Sequence, residues 1–429
     1  MPELAATKTA DDGKAAASAR LALLILAASF LFALIGRGIA ESLTVFILPL
    51  QHEFEGSRAA ITSIFSASII ASGLGGPWMG IVSDRLGSRT FYVGGILLLA
   101  LGCFLAAEAS AVWQLMLVLG LGFGLSSACL GMAGQTPLIR RWFPGRTGTA
   151  IGIIGSATGL GVLVFTPIAE LLIQTYGWRE AYRTFAALAG ALALFALLLP
   201  WRRIEAGLSG TEKLRGESWG VNLADVIGDP VLWRVFAAFF LTSAATLMLQ
   251  PQLVAYFVHV GYEPLAAATW IGIGGIASGA GMIAFGWLGD RMGLPTAIAL
   301  SYVLTASGIL VLALMTETPS AWLMPLYVVT FAASLGSRGP LVMALASRRW
   351  AGGALGRATG ILLAAIGFGG GIGAWLGGLL QDVSGYHAVF AVSGAALALG
   401  ALAWWLALRG ILPDRQMFAT RSVNSADAE

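Results

Sequence analysis

The chain has 429 residues, of which 57% are hydrophobic and 11% charged, with a formal net charge of +3. Soluble domains carry about 25% charged residues, so this chain lacks the charge to cover a water-facing surface. Its apolar residues run in blocks such as LALLILAASFLFALIG from Leu21 and FAVSGAALALGALAWWLAL from Phe390. Runs of about 18 or more apolar residues predict membrane helices. The alternation of a membrane β-barrel, in segments of about ten residues, is missing.

The expected fold is an all-α polytopic membrane protein of twelve transmembrane helices in two pseudo-repeated six-helix bundles. Residues 1–19, polar and alanine-rich, are expected as a disordered cytoplasmic tail. The apolar stretch after them is about 30 residues long, beyond the roughly 7–15-residue core of a signal peptide, so no cleavage is expected. Helices 1 to 6 are predicted over 20–50, 59–82, 90–110, 112–139, 147–173 and 181–201. A polar cytoplasmic linker covers 202–230. Helices 7 to 12 are predicted over 231–259, 265–288, 295–315, 321–347, 357–380 and 386–408. The bundles are thus 20–201 and 231–408, and 409–429 forms a second cytoplasmic tail.

With the amino terminus inside, 20 of the 25 Lys and Arg fall on the cytoplasmic side and three, Arg58, Arg179 and Arg183, on the outer side. This asymmetry predicts both termini inside. Cys103 and Cys129 lie within apolar runs and read as core residues. His52, His259 and His387 have no metal-ligand spacing. No metal, cofactor or nucleic-acid partner is expected.

The halves repeat. GIVSDRLGSR (80–89) matches GWLGDRMGLP (286–295) at Asp84 and Asp290, an offset of 290 − 84 = 206. RRW at 140–142 matches RRW at 348–350, an offset of 348 − 140 = 208, and Gly148, Gly152 and Gly159 pair with Gly356, Gly360 and Gly367. Nearly equal offsets imply two six-helix units in the same order, a known transporter construction.

The pattern Gly80, Asp84, Arg85, Gly87, Arg89 resembles the signature loop of the major facilitator superfamily. Its second copy keeps Asp290 and Arg291 and has Pro295 in place of the last arginine. The resemblance covers about residues 20–408 and implies a transporter in which this loop latches the cytoplasmic face and helices 1, 4, 7 and 10 line a central cavity. Read from charge alone, the same loop serves as a topological anchor. RRWFPGRTGTAIGIIGSATGLG (140–161), YGWREAYR (176–183) and TVFILPLQHEFEGSRAAI (44–61) are similar to monocarboxylate and oxalate/formate porters. Those porters tend to carry their substrate-binding charge in helices 8 and 11, whose interiors hold none here. The glycines of helices 5 and 11 read as close packing or as a sliding contact between the bundles.

Three charged residues lie deep within spans: Arg37 and Glu41 on helix 1 and Arg338 on helix 10. Arg37 and Arg338 each sit 17 residues from a predicted helix end, about 25 Å in. Arg37 and Glu41, at i and i+4, pair on one face. One positive charge is left over, and a buried unpaired charge is costly. An anionic substrate would neutralise it, and arginine's planar fork suits a carboxylate. The competing roles for Arg338 are capping carbonyls near Pro340 or pairing with Glu41. Glu41 is in turn a candidate proton carrier. Gln135, Gln250, Tyr256 and Tyr327 complete the expected substrate contacts.

The expected function is a secondary active transporter of a small organic anion, a carboxylate, by proton symport or exchange. It is expected as a monomer in a bacterial-type inner membrane. The alternatives are a drug or metabolite efflux pump of the same superfamily and a non-transporting receptor. Nothing convergent suggests an enzyme, and no nucleotide-binding loop suggests drive by ATP.

Overall fold

The computed structural model describes residues 2–131, 135, 138–139, 141–143, 147–206, 226–317, 320, 322–350 and 353–411. Within these ranges the side chains of 2–19, 76–86, 147–149, 206, 340, 342–344, 347–348, 353–357 and 410–411 lie outside the description. The described residues are helical, with no strand among them. In lipid each backbone polar group must find its partner within the chain, and a helix does this within one segment.

Nine apolar spans follow in order as helices 1 to 9: Arg20–Phe54, Arg58–Gly75, Gly87–Ala107, Val112–Leu130, Ala150–Tyr176, Trp178–Leu198, Pro230–His259, Pro264–Arg291 and Leu294–Glu317. Helix 10 is the pair Leu323–Leu335 and Arg338–Arg349. The run Ala358–Arg409 is divided at Gly385 into helices 11 and 12. The first helix begins at Pro2, so residues 2–19 continue it where a disordered tail was expected. Helix 2 starts at an N-cap in which the Ser57 hydroxyl accepts from the Ala60 N–H at 3.2 Å. Helix 7 starts at Asp229, which accepts from the Val231 N–H at 3.0 Å with Pro230 in the first turn.

The repeat extends to the backbone. The described residues with positive φ are Glu55, Gly87, Gly177, Gly261, Gly293 and Gly385. They form three pairs: 261 − 55 = 206, 293 − 87 = 206 and 385 − 177 = 208. A residue of positive φ thus follows helices 1 and 7, helices 2 and 8, and helices 5 and 11. In each pair at least one partner is glycine, which enters this region without a Cβ penalty.

The halves meet through helix 2 on helix 11 and helix 5 on helix 8, and through the ends of helices 1 and 7 beyond residues 42 and 249. A Cβ on Gly73 would stand 2.6 Å from the Cα of Gly367, and one on Gly159 would stand 2.4 Å from the Gly275 carbonyl oxygen. Such contact brings backbones together as only small residues allow. Gly159 and Gly367 belong to the glycine stripes of helices 5 and 11. Gly152 of the same stripe has nothing within 4 Å.

The two RRW copies brace the ends of the central linker. The Trp142 indole donates to the Ile204 carbonyl at 2.9 Å, and Arg141 Nη1 donates to the Glu205 carbonyl at 3.1 Å. In the second copy the Trp350 indole donates to Asp229 Oδ2 at 3.2 Å, with Arg349 Nη2 on the same oxygen at 2.9 Å. We call the side carrying these motifs and the loop between helices 2 and 3 the basic side, and the other the far side.

Candidate functional site

Helices 1, 4, 7 and 10 are each interrupted. Helix 1 breaks at Ser42, where the hydroxyl donates to the Ile39 carbonyl at 2.8 Å. Helix 7 tightens to a 3₁₀ turn at Gln250–Gln252 around Pro251, which brings no N–H. Helix 4 has a π-helical segment at Met116–Leu121 and leaves helical geometry at Gly131. Helix 10 has one at Val328–Ala332 and a turn at 336–337. The breaks sit in matching places: 250 − 42 = 208 and 336 − 131 = 205. Interrupted helices free backbone groups, and in transporters they mark binding sites.

Two glutamines donate to carbonyls beside these breaks. Gln135 Nε2 donates to the Leu130 carbonyl at 2.6 Å, and Gln252 Nε2 donates to the Met248 carbonyl at 3.0 Å. Each amide is buried, and each Oε1 has no partner among the described residues. Gln250 begins the 3₁₀ turn.

Arg37 and Glu41 form an ion pair one turn before the helix 1 break, with side chains 25% and 19% exposed. That pairing is the expected one. Arg338 is not with them. Its Nη2 donates to the Thr305 hydroxyl at 2.6 Å, and its guanidinium carbon stands 5.9 Å from the Tyr302 ring centre. Its Nε is buried without a partner among the described residues. Thr305 lies 2.8 Å from the Ser334 hydroxyl, and Ser301 and Ser337 share a hydroxyl contact. Beside them Ile298, Ser301, Tyr302, Arg338, Leu341 and Trp404 line a small cleft with room for about one water. Arg338 therefore faces helices 9 and 12, inside the C-terminal half.

Tyr256 also turns inward. Its hydroxyl donates to the Leu312 carbonyl and lies 3.0 Å from Thr316 Oγ1, both on helix 9. Its ring packs on Tyr386 and Phe390. Tyr327 is buried against Phe257 and Phe331, with its hydroxyl toward Gly274 of helix 8. No hydrogen bond or ion pair among the described residues joins any two of Arg37, Gln135, Gln250, Tyr256, Tyr327 and Arg338. Arg338 and Tyr256 each bond to helix 9 instead.

The side chains of Gly80, Asp84 and Arg85 lie outside the described residues. Gly87 provides the break between helices 2 and 3, and the Arg89 N–H donates to Glu205 Oε1 at 3.2 Å. In the second copy Arg291 covers the Trp287 ring at 4.6 Å, and Asp290 is exposed. Sequence reading missed the helix 9 residues Ser301, Tyr302 and Thr305. A hydroxyl at every third or fourth position of an apolar helix was the available signal. It also missed Asp382, whose carboxylate accepts from the Arg58 and Ala59 N–H groups of helix 2.

The profile of the Major Facilitator Superfamily matches residues 26–349. Monocarboxylate transporter 13 of Rattus norvegicus is 30% identical over 381 residues, covering 88% of this chain and 86% of that protein. The oxalate:formate antiporter of Oxalobacter formigenes is 26% identical over 263 residues, 60% of each chain. Among solved structures, the nucleoside transporter NupG aligns with a TM-score of 0.72 at 17% identity, over 91% of this chain and 99% of that one.

Proposed function

The chain belongs to the major facilitator superfamily of membrane transporters, and on that premise we propose that it carries a small organic anion, a carboxylate, by alternating access. The observation that supports this reading is the charge balance within the spans. Glu41 neutralises Arg37. Arg338 has hydroxyl and ring partners but no carboxylate among the described residues. A guanidinium without a counter-charge in low dielectric is costly, and a substrate carboxylate offsets that cost through two parallel hydrogen bonds.

In this reading the carboxylate meets Arg338 within the C-terminal half, in a state of the cycle that widens the cleft beside it. Arg37, Gln135, Gln250, Tyr256 and Tyr327 serve the path or the frame around it. Glu41 takes up a proton in the transport cycle, releasing Arg37. The halves 20–201 and 231–408 rock as bodies joined by 202–230, and the loop from Gly80 to Arg89, with Asp290 and Arg291, latches the basic side. The basic side is the cytoplasmic one, in a bacterial inner membrane, and the protein works as a monomer. The relatives named for monocarboxylates and for oxalate and formate support the substrate class.

Counterflow uptake in proteoliposomes tests this, with monocarboxylates, dicarboxylates, sugars and cationic drugs as the panel. The reading expects anions to be taken up, and Arg338→Ala to lose that uptake while still folded. Movement of neutral or cationic compounds, undiminished in Arg338→Ala, would replace it with the efflux-pump reading.

A further inference from the structure

The two halves touch on the far side at a carboxylate. Asp382, at the far end of helix 11, accepts from the backbone N–H of Arg58 at 2.9 Å with one oxygen and from that of Ala59 at 2.9 Å with the other. These are the first free N–H groups of helix 2, where the helix dipole favours a negative charge. Among the described residues no other hydrogen bond or ion pair joins one half to the other.

The approach is built in. Gly378 precedes Asp382 by one turn on the same face, and a Cβ there would meet the Thr62 hydroxyl at 2.2 Å and the Ala59 Cα at 2.9 Å. A glycine at 378 lets helix 11 come close enough for the carboxylate to reach. Arg58 is 6% exposed, with Nε and Nη1 unpartnered among the described residues. Closing the far side thus buries a cation, and the Asp382 charge offsets part of that cost.

The device exists on one of two equivalent interfaces. Helix 8 packs on helix 5 as helix 2 packs on helix 11, but position 58 + 206 = 264 is Pro264, which has no N–H. Position 382 − 208 = 174 is Gln174, which donates to Glu170 of its own helix at 2.9 Å. We propose that Asp382 is a far-side gating residue: its grip on the helix 2 N-terminus holds the state closed on that side, and access from that side requires its release. Asp382 itself is exposed, so water competes for it and the grip is reversible. The inference rests on the alternating-access reading but not on the substrate's identity.

Thr62, 1% exposed and seated against Gly378, reports the closed interface. Thr62→Cys protein in proteoliposomes is labelled from the far side with a membrane-impermeant maleimide, with and without Asp382→Ala. Buried Cys103 in helix 3 of the same chain is the control for unfolding. The expected result is about five-fold faster labelling at 62 in Asp382→Ala, the scale of a lost helix cap, with Cys103 unchanged. Equal rates at 62 would overturn the proposal. If Asp382→Ala exposes Cys103 as well, Asp382→Asn decides: an intermediate rise at 62 alone supports the gate. A parental rate, or a rise at both cysteines, makes Asp382 a brace of the fold. Labelling needs no substrate, so a chain that moves no carboxylate but passes this test keeps the gate and loses only the substrate class.

Discussion

Arg338 donates to the Thr305 hydroxyl at 2.6 Å, across the joint between helix 10 and helix 9. The contact lies directly after the turn at 336–337, so the cation on the lower half of helix 10 is held by a neighbour outside the group of helices 1, 4, 7 and 10.

Thr305→Val keeps the shape and removes the acceptor. A hydrogen bond to a charged group contributes about 1.5–3 kcal/mol. The variant is expected to unfold at lower temperature in a thermal-shift assay in detergent, and to take up carboxylate less well. Thr305→Ser should restore both.

Glu41→Gln is expected to abolish proton-driven accumulation while counterflow persists, because exchange needs no net proton movement. Uptake against an imposed pH gradient, compared with counterflow in the same vesicles, separates the two roles of Glu41. If both activities fall together and Arg37→Gln with Glu41→Gln recovers them, the pair is structural.

Gly159→Ala places a methyl 2.4 Å from the Gly275 carbonyl oxygen. Overpacking of this kind costs about 1–3 kcal/mol. Gly152→Ala meets nothing within 4 Å and should be neutral or stabilising by up to about 1 kcal/mol, since alanine is the better helix former. Thermal unfolding of the two variants side by side checks the contrast within one glycine stripe.

Asp229→Ala removes the helix 7 cap and strands Trp350 and Arg349. A loss of about 1–3 kcal/mol is expected. Asp229→Asn keeps one acceptor, for the Val231 N–H, and sets an NH2 donor where Trp350 and Arg349 meet an oxygen, so it should cost less than Asp229→Ala by about 1 kcal/mol, the worth of the cap. Chemical denaturation of both proteins tests the ranking.

Much of this architecture was legible in the residues. The twelve spans follow from unbroken apolar runs, and the duplication from offsets of 206 and 208. Three positive-φ pairs repeat the same offsets in the backbone. The Arg37–Glu41 pair followed from i, i+4 spacing alone, because both residues precede the break at Ser42 and lie on regular helix.

Where a helix is interrupted, that reasoning loses its footing. Distance along helix 10 gives the depth of Arg338, since rise accumulates whatever the twist. The face does not follow. One extra residue in a π turn rotates everything after it by about 100°, and the Val328–Ala332 segment and the turn at 336–337 both precede Arg338. Asp382 was invisible for a different reason. Its partners are backbone N–H groups 323 and 324 residues away, and an N–H has no sequence signature. The sequence by itself thus determined what spans the membrane, in what order and with what repeat, because lipid forces each segment to satisfy its own backbone. The tertiary structure alone decided which side chains face one another and where the halves are tied, because those depend on helix rotation and approach.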